Sequence, residues 1–142
     1  ATGQMPGYIE GGTNIIDVED VARGHILAAK KGRVGERYLL GNKNITVHNY
    51  IELIAEIAGV KPPSLKLSFK LALAVGHFFE FGASITKKPP VVTVSEVRIA
   101  KMTEWYDCSK ALKELGLPQT PIDITIKKAI NWFRENGYIR KK

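Results

Sequence analysis

Glu36-Arg37-Tyr38-Leu39-Leu40-Gly41 is the stretch that decides the fold. An aromatic and two leucines run up to a glycine stop, and helical patterns lie on both sides. A short apolar strand between helices belongs in a parallel sheet that is covered on both faces. Such a sheet needs more strands, and the sequence supplies few. Residues 13–16, 65–67 and Trp105-Tyr106 read as short strands, with another around Tyr8-Ile9. They are too few and too far apart to form a sheet alone. The pattern predicts a helix-rich α/β chain, one unit over residues 1–142, that is part of a larger α/β protein.

The helices are marked by their ends. Asp17 caps a helix running to Lys31, with Asp20 three residues on in a box-like arrangement. Val21, Ala22, His25, Ala28 and Ala29 fall on one face at helical spacing. Lys30 and Lys31 suit its negative end, and Gly32 stops it. Thr46 caps a second helix with a core face of Tyr50, Ile51, Ile54, Ala55 and Ala58, ended by Gly59 and Pro62-Pro63. Residues 69–85 form a helix apolar on most sides, expected to be buried or to face another domain. Lys87-Lys88-Pro89-Pro90 is a loop, and a helix follows around 95–101. Asp107 or Ser109 caps a short helix that ends at Gly116. Thr120-Pro121 opens the last helix, with Ile122, Ile126, Ala129, Ile130 and Phe133 inside and Gly137 at its close.

Composition narrows the chemistry. The chain has 142 residues, 44% hydrophobic and 25% charged, enough for a core and not a disordered composition. Cys108 is the single cysteine, so no internal disulfide forms. His25, His48 and His77 are scattered, without zinc spacing, and no metal is expected. The net charge of +7 is spread over Lys87-Lys88, Lys127-Lys128 and Arg140-Lys141-Lys142. Aromatics do not alternate with cations as on a base-stacking surface, so nucleic acid is not expected. The charge reads as solvated faces with a bias toward a phosphate-bearing ligand. The apolar stretch 69–85 is interrupted by Lys70, His77 and Glu80, too short and polar to span a bilayer, and it lies mid-chain, unlike a signal peptide. No membrane partner is expected, and the expected compartment is the cytoplasm.

A family pattern runs through nearly the whole chain. Its parts are Asn14-Ile15-Ile16-Asp17-Val18-Glu19-Asp20-Val21-Ala22 and on to Ala29, Gly35 to Gly41, Thr46 to Gly59, and Asp107-Cys108-Ser109-Lys110-Ala111 with Leu115-Gly116. In order and spacing they resemble the C-terminal, substrate-side portion of an extended short-chain dehydrogenase/reductase. Within the NAD-dependent epimerase/dehydratase family the likeness is to the dihydroflavonol-4-reductase-like branch, which includes the hopanoid-associated sugar epimerases. The resemblance implies NAD or NADP in a Rossmann domain, with a tyrosine acid/base and a lysine supplied by that domain. It implies hydride transfer on a hydroxyl or carbonyl substrate, either a sugar nucleotide or a hydroxy or keto compound.

The residues of this chain do not carry that chemistry. No Gly-x-Gly-x-x-Gly loop follows a strand. Gly32-Arg33-Val34-Gly35 comes after a helix and before a strand, which makes it a turn. Tyr106 and Lys110 match the family's Tyr-x-x-x-Lys, a pair that works when both lie on one helical face. Here Tyr106 precedes a cap and Lys110 follows it, so no catalytic residue and no cofactor contact is expected.

The resemblance does imply substrate contacts. Tyr8 lies on a glycine-rich segment that contributes to the substrate pocket in relatives, although a plain turn with Tyr8 against the core fits equally. Asn14 lies where strand passes into helix beside the cleft. Lys87, Lys88 and Arg98 stand where sugar-nucleotide members place an arginine on phosphates; Lys88-Pro89 replaces the arginine-proline pair and lacks the bidentate fork. Unpaired strand edges and apolar helix faces predict self-association. The alternative to an inactive substrate-side portion is a stand-alone binding or interaction module for an anionic partner.

Overall fold

The computed structural model describes residues 7–139. The first six residues of the glycine-rich start and the basic tail at 140–142 lie outside them. The elements are β1 (Gly7–Tyr8), β2 (Gly12–Ile15), α1 (Val18–Lys31), β3 (Lys43–Thr46), α2 (Val47–Ala58), β4 (Leu65–Lys66), α3 (Phe69–Thr86), α4 (Val94–Ala100) and α5 (Ile122–Glu135). A π-helical segment, Ala111–Leu115, precedes α5.

The strands form two small ladders. β1 runs parallel to β4, with Gly7 opposite Leu65 and Tyr8 opposite Lys66. β2 is antiparallel to β3, from Gly12 opposite Thr46 to Ile15 opposite Lys43. The predicted strand at residues 36–40 is not one: it has no ladder among the described residues. A strand is a property of a pair, because its N–H and C=O groups need a neighbouring backbone. Tyr38 and Leu40 instead pack on the core of Ala111, Leu115 and Leu117. Trp105-Tyr106 is not a strand either. There the Asn44 side chain stands in for a backbone partner, accepting from Tyr106 N and donating to Tyr106 O, each at 3.1 Å.

Local signals set the helix ends. Asp17 accepts from Glu19 N–H, and Thr46 from Asn49 N–H. Asp107 accepts from Ser109 N–H ahead of the π-helical segment. α3 is capped by Ser68, and α4 by Thr93 in a reciprocal box with Glu96. Gly59 (φ 69°) and Gly116 (φ 71°) take the left-handed conformation that closes a helix. Gly32, by contrast, leaves α1 in extended backbone.

The inner face of α1 differs from the predicted one. Asp20 and Gly24 are buried, while Ala22, His25 and Ala29 are exposed. The reason lies far along the chain. Asp20 does not close a capping box; its Oδ2 accepts from Thr120 N–H at 2.6 Å. With Asp20 turned inward, Gly24 follows one turn later and lets Leu117 and Leu40 approach closely. A Cβ there would stand 2.8 Å from Leu117 Cδ1 and 2.9 Å from Leu40 Cδ1.

Two apolar clusters result. In one, Ala58 of α2 meets Ile126 and Ile130 of α5, flanked by Tyr50, Leu53, Ile54 and Ile57. The inner stripe of α5 is narrower than predicted, with Ala129 and Phe133 exposed. The other gathers Ile16, Leu27, Tyr38 and Leu40 around Ala111, Leu115 and Leu117. Helix α3 buries only Ala72 and Gly76, and packs beside α4. Its other side is exposed.

Asp17 ties α1 to α5. Its buried carboxylate accepts from Thr125 Oγ1 at 3.2 Å and from Lys128 Nζ at 3.0 Å. Burial pushes its pKa up, but the Glu19 N–H and Lys128 outweigh burial and hold it below the ordinary 3.8. A carboxylate with a lowered folded pKa stabilises the fold above 3.8, and that contribution fades as pH falls through the lowered value. Asp17→Asn should cost about 1–3 kcal/mol at neutral pH and flatten the acid limb of stability, measured by urea denaturation against pH. Gly24→Val should cost about 1–3 kcal/mol by overpacking, measured as a lower urea midpoint with an unchanged slope.

Candidate functional site

One group of polar side chains converges outside the core where β1 and β4 run side by side. Thr46 starts α2, which puts His48 on its first turn. There the His48 ring stacks on the half-buried Tyr8 ring, with centroids 5.1 Å apart and planes 18° from parallel. His48 Nε2 lies 3.4 Å from Glu52, one turn on. Glu10, two residues after Tyr8, forms an ion pair with Lys66 of β4. The hydrogen bond and charge of Lys66 hold the Glu10 carboxyl below the usual range, with His48 adding in the same direction. Glu10 in turn holds the Lys66 ammonium above its usual value.

Glycines fix this segment against its neighbours. A Cβ on Gly12 would lie 2.4 Å from Trp105 Nε1, so the backbone and the indole meet only because Gly12 has no side chain. The Tyr8–His48 stack is a partly exposed aromatic platform beside the Glu10–Lys66 ion pair. Such a platform can stack on a planar or sugar ring, and Lys66 can meet an anionic group.

The five expected substrate residues do not form one cluster. Tyr8 is on the platform. Asn14 is a strut: its Oδ1 accepts from Asn42 N–H at 3.1 Å and its Nδ2 donates to Asn44 Oδ1 at 2.7 Å. Lys87 terminates α3 in a left-handed conformation (φ 57°), and Lys88 follows it in an exposed loop. Arg98 is exposed on α4. Sequence reasoning missed His48, Glu10 and Lys66. The Thr46 cap foretold the place of His48, but a pairing two residues long between β1 and β4 leaves no periodic trace.

Tyr106 and Lys110 do not share a helix. Lys110 Nζ binds Glu36 and donates to Arg37 O at 3.1 Å, and it sits 4.8 Å from the Tyr38 ring centroid. Tyr106 is held through its backbone by Asn44. Gly35 closes a turn at φ 83°, with Glu36 N–H donating to Arg33 O. The segment 32–35 is therefore a turn and no cradle for a pyrophosphate. Among the described residues no group of three or more His, Cys, Asp or Glu could hold a metal, and no helix is long and apolar enough to cross a membrane.

A Synechocystis sp. protein described as a dihydroflavonol 4-reductase is 36% identical over 96% of this chain and 41% of its own length. A crystal structure of a nucleoside-diphosphate-sugar epimerase from Pseudomonas aeruginosa superposes with TM-score 0.73 and 31% identity, over 98% of this chain and 41% of that one. This chain is homologous to part of an extended short-chain dehydrogenase/reductase. It spans about two fifths of the length of those relatives. The fold also matches, at 15% identity and TM-score 0.54, the UDP-glucuronic acid 4-epimerase of Bacillus cereus in complex with NAD, over 94% of this chain and 33% of that one. No protein-family model matches the chain.

The platform can be tested directly. His48→Ala should move the Tyr8 ring-proton resonances toward random-coil positions and cost about 0.5–1.5 kcal/mol. Unchanged Tyr8 shifts would refute the stack.

Proposed function

We propose that this chain is the substrate-side portion of an NAD(P)-dependent oxidoreductase or epimerase, acting on a sugar nucleotide or a hydroxy or keto compound. In this reading residues 1–142 work as one unit. The dinucleotide, the catalytic tyrosine and its lysine are held elsewhere, and the chain alone does not turn over. One observation carries the reading. The chain aligns over 98% of its length with a nucleoside-diphosphate-sugar epimerase, yet contains no glycine-rich dinucleotide loop. The engagement of Lys110 by Glu36 and the Tyr38 ring supports it, since it draws Lys110 away from Tyr106.

Tyr8 is the substrate contact this geometry favours among the expected residues. Its ring, backed by His48, offers a stacking face, and the Lys66–Glu10 ion pair lies beside it. Asn14 acts indirectly, by holding the loop after residue 41 against β2. Lys87, Lys88 and Arg98 lie on α3, its following loop and α4, and are not needed for this contact.

Calorimetric titration of NADH and NADPH into the chain, and into a longer protein carrying a dinucleotide-binding portion, tests the reading. The chain should bind neither cofactor, and the longer protein one of them. Binding by the chain would overturn the assignment. Binding by neither would favour a stand-alone module for an anionic partner.

A further inference from the structure

Helix α3 has two apolar faces, and the fold covers one. Ala72 and Gly76 lie against α4. On the opposite side stand Leu71, Val75, Phe78, Phe81 and Ile85, with Phe78 73% exposed and Phe81 and Ile85 67% exposed. At about 3.6 residues per turn these five fall within roughly a third of the helix circumference. No polar group breaks the arc. At its margins stand Lys70, His77 and Thr86, whose hydroxyl donates to Gly82 O within the helix. An apolar surface of this kind on a folded protein marks an interaction site.

The charges around it have one sign. Residues 69–101 carry five cations, Lys70, Lys87, Lys88, Arg98 and Lys101, against two carboxylates. Both carboxylates are engaged at the start of α4: Glu80 accepts from Val94 N–H at 2.8 Å, and Glu96 accepts from the Thr93 N–H and hydroxyl. Lys70 lies at the N-terminal end of the apolar stripe, and Lys87 and Lys88 follow its C-terminal end. Arg98 and Lys101 belong to α4 and its cap, with Lys101 Nζ 4.3 Å from the Phe69 ring centroid. A second copy of this chain would bring the same cations against them.

We propose that the outward face of α3 docks flat on an anionic phospholipid bilayer. The aromatic and aliphatic side chains enter the headgroup–acyl boundary and the surrounding cations meet lipid phosphates. Helices that lie in the interface combine these same two features. The helix rests on the bilayer and does not span it. The sequence pattern gave no membrane partner because Lys70, His77 and Glu80 make the stretch too short and too polar to span a bilayer. Only the fold separates the covered face from the open one.

The test is vesicle flotation with the full chain, using phosphatidylcholine vesicles with and without phosphatidylglycerol. Binding is expected to the anionic vesicles, weakening with salt, and little to phosphatidylcholine alone. The exposed-site double variant Phe78→Gln/Ile85→Gln should lower the partition coefficient about tenfold while leaving the circular dichroism spectrum unchanged. Lys87→Gln/Lys88→Gln should weaken binding to anionic vesicles only. Absence of binding to anionic vesicles would overturn the proposal. So would binding indifferent to both double variants. A dimer in light scattering that Phe78→Gln/Ile85→Gln converts to a monomer would assign the face to a second copy instead. Loss of vesicle binding in a longer protein carrying the cofactor portion would assign it to that portion.

Discussion

Two buried carboxylates at the start of α1 hold the ends of this chain together. Asp17 and Asp20 are 2% and 1% exposed, and a charge so placed must be paired or hydrogen-bonded. Every partner beyond the cap itself comes from the far end of the chain. Thr120 N–H bonds to Asp20, and Thr125 and Lys128 bond to Asp17. These bonds set where α5 begins and how it lies against α1. The cluster of α2 and α5 then closes on Ile126 and Ile130. Asp20 also sets the rotation of α1, which brings Gly24 to Leu117 and Leu40. One directional constraint thus determines which residues of three helices face inward.

This dependence explains what the sequence could show. The caps at Asp17 and Thr46 and the stops at Gly59 and Gly116 were readable, because each involves partners within a few residues. The facing sides of α2 and α5 were readable in outline from apolar spacing. The face of α1 was not, because a carboxylate's preference for the interior depends on a partner 100 residues away. The strand at residues 36–40 was misread for a related reason: β-branched or leucine-rich runs suit a ladder, but the ladder needs a second backbone. Of the candidate site, Tyr8 stood out on a glycine-rich segment. His48 and Lys66 became visible only once β1 met β4.

The apolar character of α3 illustrates the same limit. Periodicity measures how a helix differs around its circumference, and here both sides are apolar for different reasons. Small residues on one side admit α4, while large ones on the other stand in solvent. Residue size, more than polarity, distinguishes the two faces.

The segment at 36–40 has a consequence of its own. Tyr38 is pinned through its hydroxyl, which accepts from Arg33 N–H and donates to Glu114, while Arg33 grips the same carboxylate with two N–H groups. Lys110 holds the Arg37 carbonyl, and Leu40 is packed on Leu115 and its neighbours. The segment is therefore fixed in place by its side chains while, among the described residues, the Leu39 and Leu40 backbone has no hydrogen-bond partner. An incoming strand would find a template already ordered, and joining it would forfeit little chain entropy on this side of the new ladder.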